Sequence, residues 1–249
     1  VHIILFSPSF SVETTLDDDS KKNYLVYKRV ARRLIHQGNL PDEEVTKLEE
    51  AIKDPEALKP ALYHTYNKIV KKQMNQIIKK NAKTVMLSTA ISQNGRLDFF
   101  TIIVVNLKMI KELVVMCGFR PTFKNLAKLT INVFTTALIA EGLENMDLND
   151  LLPNSTMNML GEIPLVKPVV SSVVQGMSNA LLTLRIGIVT RKYLFSDAKE
   201  ITKEQIRKNA LLEAAKMLPS VIGDALMIFP KKIAMLFKKP DQKAEESSE

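Results

Sequence analysis

Tryptophan is absent from this chain of 249 residues, cysteine occurs once and histidine three times. One thiol makes no internal disulfide. Cys117, His2, His36 and His64 also fall into none of the close spacings, C-x-x-C or H-x-x-x-H, with which a chain grips zinc. The cysteine usage allows a reducing compartment or no assignment. Glycine is scarce, with 8 residues, and aromatics make up 6%. Sandwiches and barrels need many tight turns and strands rich in ring side chains, so both are disfavoured. The opening stretch, Val1-His2-Ile3-Ile4-Leu5-Phe6-Ser7-Pro8, lacks the basic start, longer apolar core and small-residue cleavage site of an export signal. It suits a strand from a preceding domain, or an end exposed by loss of a methionine.

Motifs of chemistry are missing as well. There is no G-x-x-x-x-G-K-[ST] phosphate loop, no G-x-G-x-x-G after a strand and no G-x-S-x-G elbow, so the backbone cradles and activated nucleophiles those patterns build are not on offer. Cys117 beside Gly118 reads as a small buried hydrophobe, and Glu141 and Glu144 as carboxylates at a helix end, not as a nucleophile and an acid–base pair. The sequence gives no enzyme and no cofactor.

What is present is a helical composition with an excess of positive charge. Hydrophobic residues make up 46%, charged residues 25%, and 35 Lys and Arg against 27 Asp and Glu leave a formal net charge of +8. That balance suits an anionic partner, either lipid headgroups or nucleic acid. No aromatics interleave with the lysines to stack bases, and no Cys/His finger or RNP-like run appears, so nucleic acid is the weaker candidate.

Periodicity and stop signals predict an all-α fold of long helices forming a bundle. A helix over 21–36, capped by Ser20 and stopped by Gly38, carries the basic cluster Lys28, Arg29, Arg32 and Arg33. A shorter helix after Pro41 makes a hairpin with it. From 55 to 92, Leu58, Leu62, Tyr66, Ile69 and Ile77 recur at helical spacing, while Lys68, Lys72 and Lys79 share another face. Those lysines are a solvated face or a contact for anionic lipid. Further helices are expected over 98–117, stopped by Gly118, after Pro121 with the apolar run 129–140, over 165–194, and over 203–218. In the helix over 98–117, Phe99, Ile102, Ile103, Leu107, Ile110 and Val114 are assigned to burial. A Met-rich amphipathic segment runs over 219–239. The segments then divide as 1–54, an N-terminal hairpin; 55–194, a helical core; 195–240, C-terminal amphipathic helices; and 241–249, a disordered acidic tail.

Two readings of the apolar helices stay open. The least charged stretch, 168–184, falls short of the roughly 18–20 clean apolar residues of a span, so the helices are either buried in a soluble bundle or form membrane-inserted or membrane-associated hairpins. Lys124, Lys128, Lys167, Arg191 and Lys192 bracket the apolar pieces and fit interfacial anchors or a soluble surface equally. Within them stand Asp98, Asn106, Arg120, Asn132, Ser178, Asn179 and Arg185. An arginine stays charged and is costly to bury alone, so Arg185 is expected to find Asp98 or Glu141 in a polar network that stabilises helix packing. Gly176 and Gly187 would let a second backbone come close.

Several runs carry a family resemblance. They are Leu87-Ser88-Thr89-Ala90-Ile91-Ser92-Gln93-Asn94-Gly95-Arg96-Leu97-Asp98, Asn106-Leu107-Lys108-Met109-Ile110, Gly118-Phe119-Arg120-Pro121, and Ser178-Asn179-Ala180-Leu181-Leu182-Thr183-Leu184-Arg185-Ile186-Gly187. In this order the chain resembles the YcjF-like bacterial proteins, a domain of unknown function, over roughly 83–194. The resemblance implies an inner-membrane association on the cytoplasmic side and, in many members, a neighbouring or fused Era-like GTPase. It implies no reaction and no catalytic residue. With no GTPase motif here, such a partner would be a separate protein or an upstream domain. The expected function is a membrane-associated accessory to a GTPase in envelope stress or membrane remodelling; the alternative is a soluble, cytoplasmic helical scaffold without catalytic activity.

Overall fold

The computed structural model describes residues 21–91, 95–138, 167–195 and 202–237. The described residues are helices and short turns with no strand, an all-α bundle. In chain order they are α1 (Lys21–His36), α2 (Asp42–Ala51), α3 (Pro55–Thr65), a π turn (Tyr66–Val70), α4 (Lys71–Ile91), α5 (Gly95–Met116), α6 (Phe123–Leu138), α7 (Lys167–Phe195) and α8 (Lys203–Phe237).

The stops are those the sequence asks for. Gly38 and Gly118 close α1 and α5 at φ of 66° and 76°, a left-handed conformation that costs a side-chain-bearing residue and not a glycine. Asp54 caps α3, its Oδ1 accepting from the Glu56 N–H at 2.9 Å, with Pro55 at the first helical position, where no N–H is needed. The expected cap of α1, Ser20, the last residues of the apolar run 129–140, and the segment 241–249 lie outside the described residues.

Two elements depart from expectation. The helix over 55–92 is interrupted by the π turn, inside which Tyr66 is buried and donates from its hydroxyl to the Cys117 carbonyl at 2.7 Å. The buried residues Leu58, Leu62, Tyr66, Val70, Met74, Ile78 and Ala82 repeat every four positions. An α-helix drifts about 40° per such step, and the wider turn takes up part of that drift. Second, α8 runs through Pro219 as one helix, where a break was expected. An interior proline forfeits a helical hydrogen bond and costs about 3 kcal/mol. Ile206, Ala210, Ala214, Leu218, Val221, Ile222 and Ala225 are buried along α8, and burying the larger of these recovers about 1.5–3 kcal/mol each.

The core is organised around α7. Its largest interface is with α4, and α8, α5 and α6 also pack on it. The two helices come close at two glycines. A Cβ on Gly176 would stand 2.7 Å from the Met86 carbonyl oxygen, and one on Gly187 2.7 Å from Ile78 Cγ1, so both lie where α4 leaves no room for a methyl group. Residues Val173–Phe195 are long and apolar enough to cross a membrane, but 72% of that window is buried inside the bundle. At the far end, Arg33 donates to the Gly118 carbonyl at 3.2 Å and Gln37 to the Val115 carbonyl at 2.7 Å, fastening the end of α1 to the end of α5.

Candidate functional site: the polar positions of the central helix

Helix α7 is apolar, so each polar side chain along it needs a partner from a neighbouring helix. Asn179 donates to Thr89 Oγ1 of α4 at 3.2 Å, and one turn on Thr183 Oγ1 accepts from Asn106 of α5 at 3.3 Å. Asn106 is fully buried and also donates to the Ile102 carbonyl at 2.8 Å. These side chains tie α7 to both of its hairpin neighbours. Thr89 and Thr183 were missed in the sequence, because a threonine looks neutral there until a buried asparagine stands opposite.

Two further turns along, Arg191 is the hub of the lower half. It bonds Asn75 of α4 through Nη1 and Glu213 of α8 through Nη2, the latter at 2.5 Å, and Lys192 Nζ stands 4.0 Å from the other oxygen of Glu213. Arg191 and Lys192 therefore pair with a half-buried carboxylate of α8. Nearby, Tyr193 and Thr136 of α6 share a hydroxyl hydrogen bond at 2.7 Å.

Arg185 stands apart from these pairs. It is 8% exposed, and its Nε is buried with no partner among the described residues. Burial pushes its guanidinium pKa down, and no charged neighbour among the described residues contributes. The helix period puts it about half a turn from the Gly176 and Gly187 line that faces α4. The expected partner Glu141, and the side chain of Asp98, lie outside the described residues. Arg120 is exposed in the turn after α5, and Asn132 is half-buried on α6. The structure thus pairs Asn106 of α5 and Asn179 of α7 each with a threonine across a helix interface and, among the described residues, does not join these pairs to Arg120, Asn132 or Arg185.

Arg120 joins a different cluster. Arg33 is pushed below the usual arginine range by burial, by Arg120 and by Arg29, so three guanidiniums crowd the corner where α1 meets the α5–α6 turn. Of the lysines expected on one face, Lys68 and Lys72 are exposed and Lys79 is half-buried. No group of three His, Cys, Asp or Glu able to hold a metal occurs among the described residues. Cys117 is fully buried, 3.9 Å from Met74 Sδ, and burial pushes its thiol pKa up. It is placed as a packing residue, away from water and from any base.

One set of residues assigned to burial is not buried. Phe99 and Leu107 are exposed, together with Phe100 and Val104, whereas Ile110 and Val114 are buried as expected. Residues 99–105 of α5 carry no charge and only Thr101 among them is polar, so their periodicity does not select an inner face.

A family model matches residues 54–216, from the cap of α3 into α8. The chain belongs to DUF697, a domain of unknown function. No curated protein and no solved structure matches it. The DUF697 match takes in every residue of the two asparagine–threonine pairs and the whole Arg191–Asn75–Glu213 hub, while α1, α2 and the rest of α8 flank it.

Proposed function

We propose that this DUF697 chain is a membrane-associated helical protein of the YcjF-like kind. It would act without catalysis of its own as an accessory to an Era-like GTPase, at the cytoplasmic side of a bacterial inner membrane, in envelope stress or membrane remodelling. The observation that carries the reading is an apolar surface on a basic chain. Phe99, Phe100, Val104, Leu107, Phe123, Ile131 and Leu138 are exposed on α5 and α6, and the formal net charge is +8. Apolar burial and attraction to anionic lipid add together in interfacial binding. Lys68, Lys72 and Lys79 are the first candidates for the electrostatic part.

Flotation of the full chain with vesicles of phosphatidylethanolamine and phosphatidylglycerol at low salt tests it. Recovery in the vesicle fraction, falling as salt rises, is expected; a chain that stays at the bottom of the gradient sinks the membrane reading.

The second reading, a soluble helical interaction scaffold, is favoured by α7. Its span-length stretch is spent on the core. A monodisperse chain in detergent-free buffer that ignores vesicles supports it.

A further inference from the structure

Given the membrane reading, the structure also indicates which surface makes the contact. We infer that the N-terminal half of α5 is the lipid-contacting element, its exposed apolar face sinking into the headgroup–acyl boundary of an anionic bilayer while Lys108 and Lys111 meet the lipid phosphates.

At 100° per residue, Phe100, Val104, Leu107 and Lys111 fall within an arc of about 60°, with Phe99 and Lys108 on its flanks. All six are exposed, Phe99 by 61% and Phe100 by 64%. The two rings stack edge to face with centroids 6.1 Å apart, so they present one block to the outside. No charge breaks the face between Asp98 and Lys108.

The helices packed beside it leave the patch apolar. Both α4 and α7 lie against α5. Asn106 of α5 meets Thr183 of α7, and α7 runs antiparallel to α4, with Gly176 at Met86 and Gly187 at Ile78; the first half of α5 therefore lies beside the stretch of α7 before Thr183 and, through the hairpin, the second half of α4. In those stretches α4 has no charged residue from 84 to 91 and α7 none from 168 to 184. Neither stretch therefore carries a lysine or arginine to fold over the phenylalanines.

Length decides the mode of contact. Nine residues from Phe99 to Leu107 make about 13 Å of helix, against a hydrocarbon core of about 30 Å. That is too short to span and fits the roughly 5–10 Å of burial of an interfacial helix. Charge decides the occupant. A second copy would set this patch, with Lys108 and Lys111 at its edge, against another chain of net charge +8, whereas an anionic bilayer supplies the opposite sign.

The test uses the full chain and vesicles of phosphatidylethanolamine and phosphatidylglycerol. Single cysteines at Phe100→Cys and Glu50→Cys, the latter exposed on α2, carry an environment-sensitive dye; the native Cys117 is buried and stays unlabelled in the folded chain. On vesicle binding, the dye at 100 should lose about threefold or more of its quenching by aqueous iodide, and the dye at 50 should not. Phe100→Asp should lower vesicle partitioning about tenfold or more, the scale of one phenylalanine's transfer, with an unchanged thermal melt because the side chain is exposed. A chain that floats while the dye at 100 stays quenchable, or floats equally well with Phe100→Asp, overturns the α5 contact and leaves the membrane reading standing. No flotation at all overturns both. Shielding at 100 that appears without lipid and grows with protein concentration assigns the face to a second copy, and shielding by an added oligonucleotide assigns it to nucleic acid; either result overturns the proposal.

Discussion

Arg191 reaches Glu213 with 2.5 Å between Nη2 and Oε1, and the same guanidinium bonds Asn75, so one side chain of α7 holds α8 and α4 at once. Among the described residues the carboxylate has only Arg191 and the more distant Lys192. Removing the hub therefore strands more groups than removing Glu213. Arg191→Ala is expected to cost about 2–4 kcal/mol in urea melts and Glu213→Ala about 1–2, for a half-exposed charged hydrogen bond. The double variant should cost less than the two added together. Strict additivity would show that the pair does not bind α7 to α8.

The glycines separate two effects of adding one methyl. Gly176→Ala places a Cβ against the rigid carbonyl of Met86, whereas Gly223, inside α8, has nothing within 4 Å of its Cβ position. Gly176→Ala should lower stability by about 2 kcal/mol or more through forced separation of α4 and α7. Gly223→Ala should raise it by about 0.5–1 kcal/mol through helix propensity alone. Thermal melts of the two variants decide this, and a matched loss in both would remove the close approach from the account.

Arg185 gives a prediction of opposite sign to the usual one for a buried arginine. Its desolvated guanidinium has no charged neighbour among the described residues lowering the cost, so Arg185→Met, of similar reach and no charge, should leave stability unchanged or raise it by about 1–2 kcal/mol. A loss above about 1 kcal/mol in urea melts would reveal a carboxylate partner for this residue.

The Cys117 thiol and Tyr66 hydroxyl both have pKa values raised by burial. Each native group stays protonated after its unfolded counterpart has begun to ionise, near pH 9 for a thiol and pH 10 for a phenol. The unfolded chain then holds fewer protons, so stability is flat below these values and falls as pH rises through them. The slope approaches about 1.4 kcal/mol per pH unit for each group. Urea midpoints from pH 7 to 10.5 should show the decline, and Cys117→Ala should remove its earlier part. Iodoacetamide should leave the native thiol unmodified and label it in denaturant.

Much of this architecture is legible in the sequence because its signals are local. Gly38, Gly118, Asp54 and Pro55 mark their helix ends through backbone requirements that act within a few residues. The hairpin pairings are not local. Nothing near Asn106 announces Thr183, 77 positions away, and the stripe through Phe99 and Leu107 reads as core because an all-apolar stretch has no inner side. Pro219 looks like a break until the burial along both halves of α8 is counted against it.

The π turn at Tyr66–Val70 behaves like a clutch between two shafts. It lets α3 and α4 each keep a buried stripe while their angular phases differ, so the chain holds there one residue more than a uniform helix of equal length. Deleting a single residue within the turn would restore ordinary helical pairing locally, yet it would rotate one shaft against the other by about 100°. Either Leu58 and Leu62 or Met74 and Ile78 would then leave the core. A substitution at the same positions tests a side chain; a deletion tests whether the two halves of the molecule still agree on which way is inward.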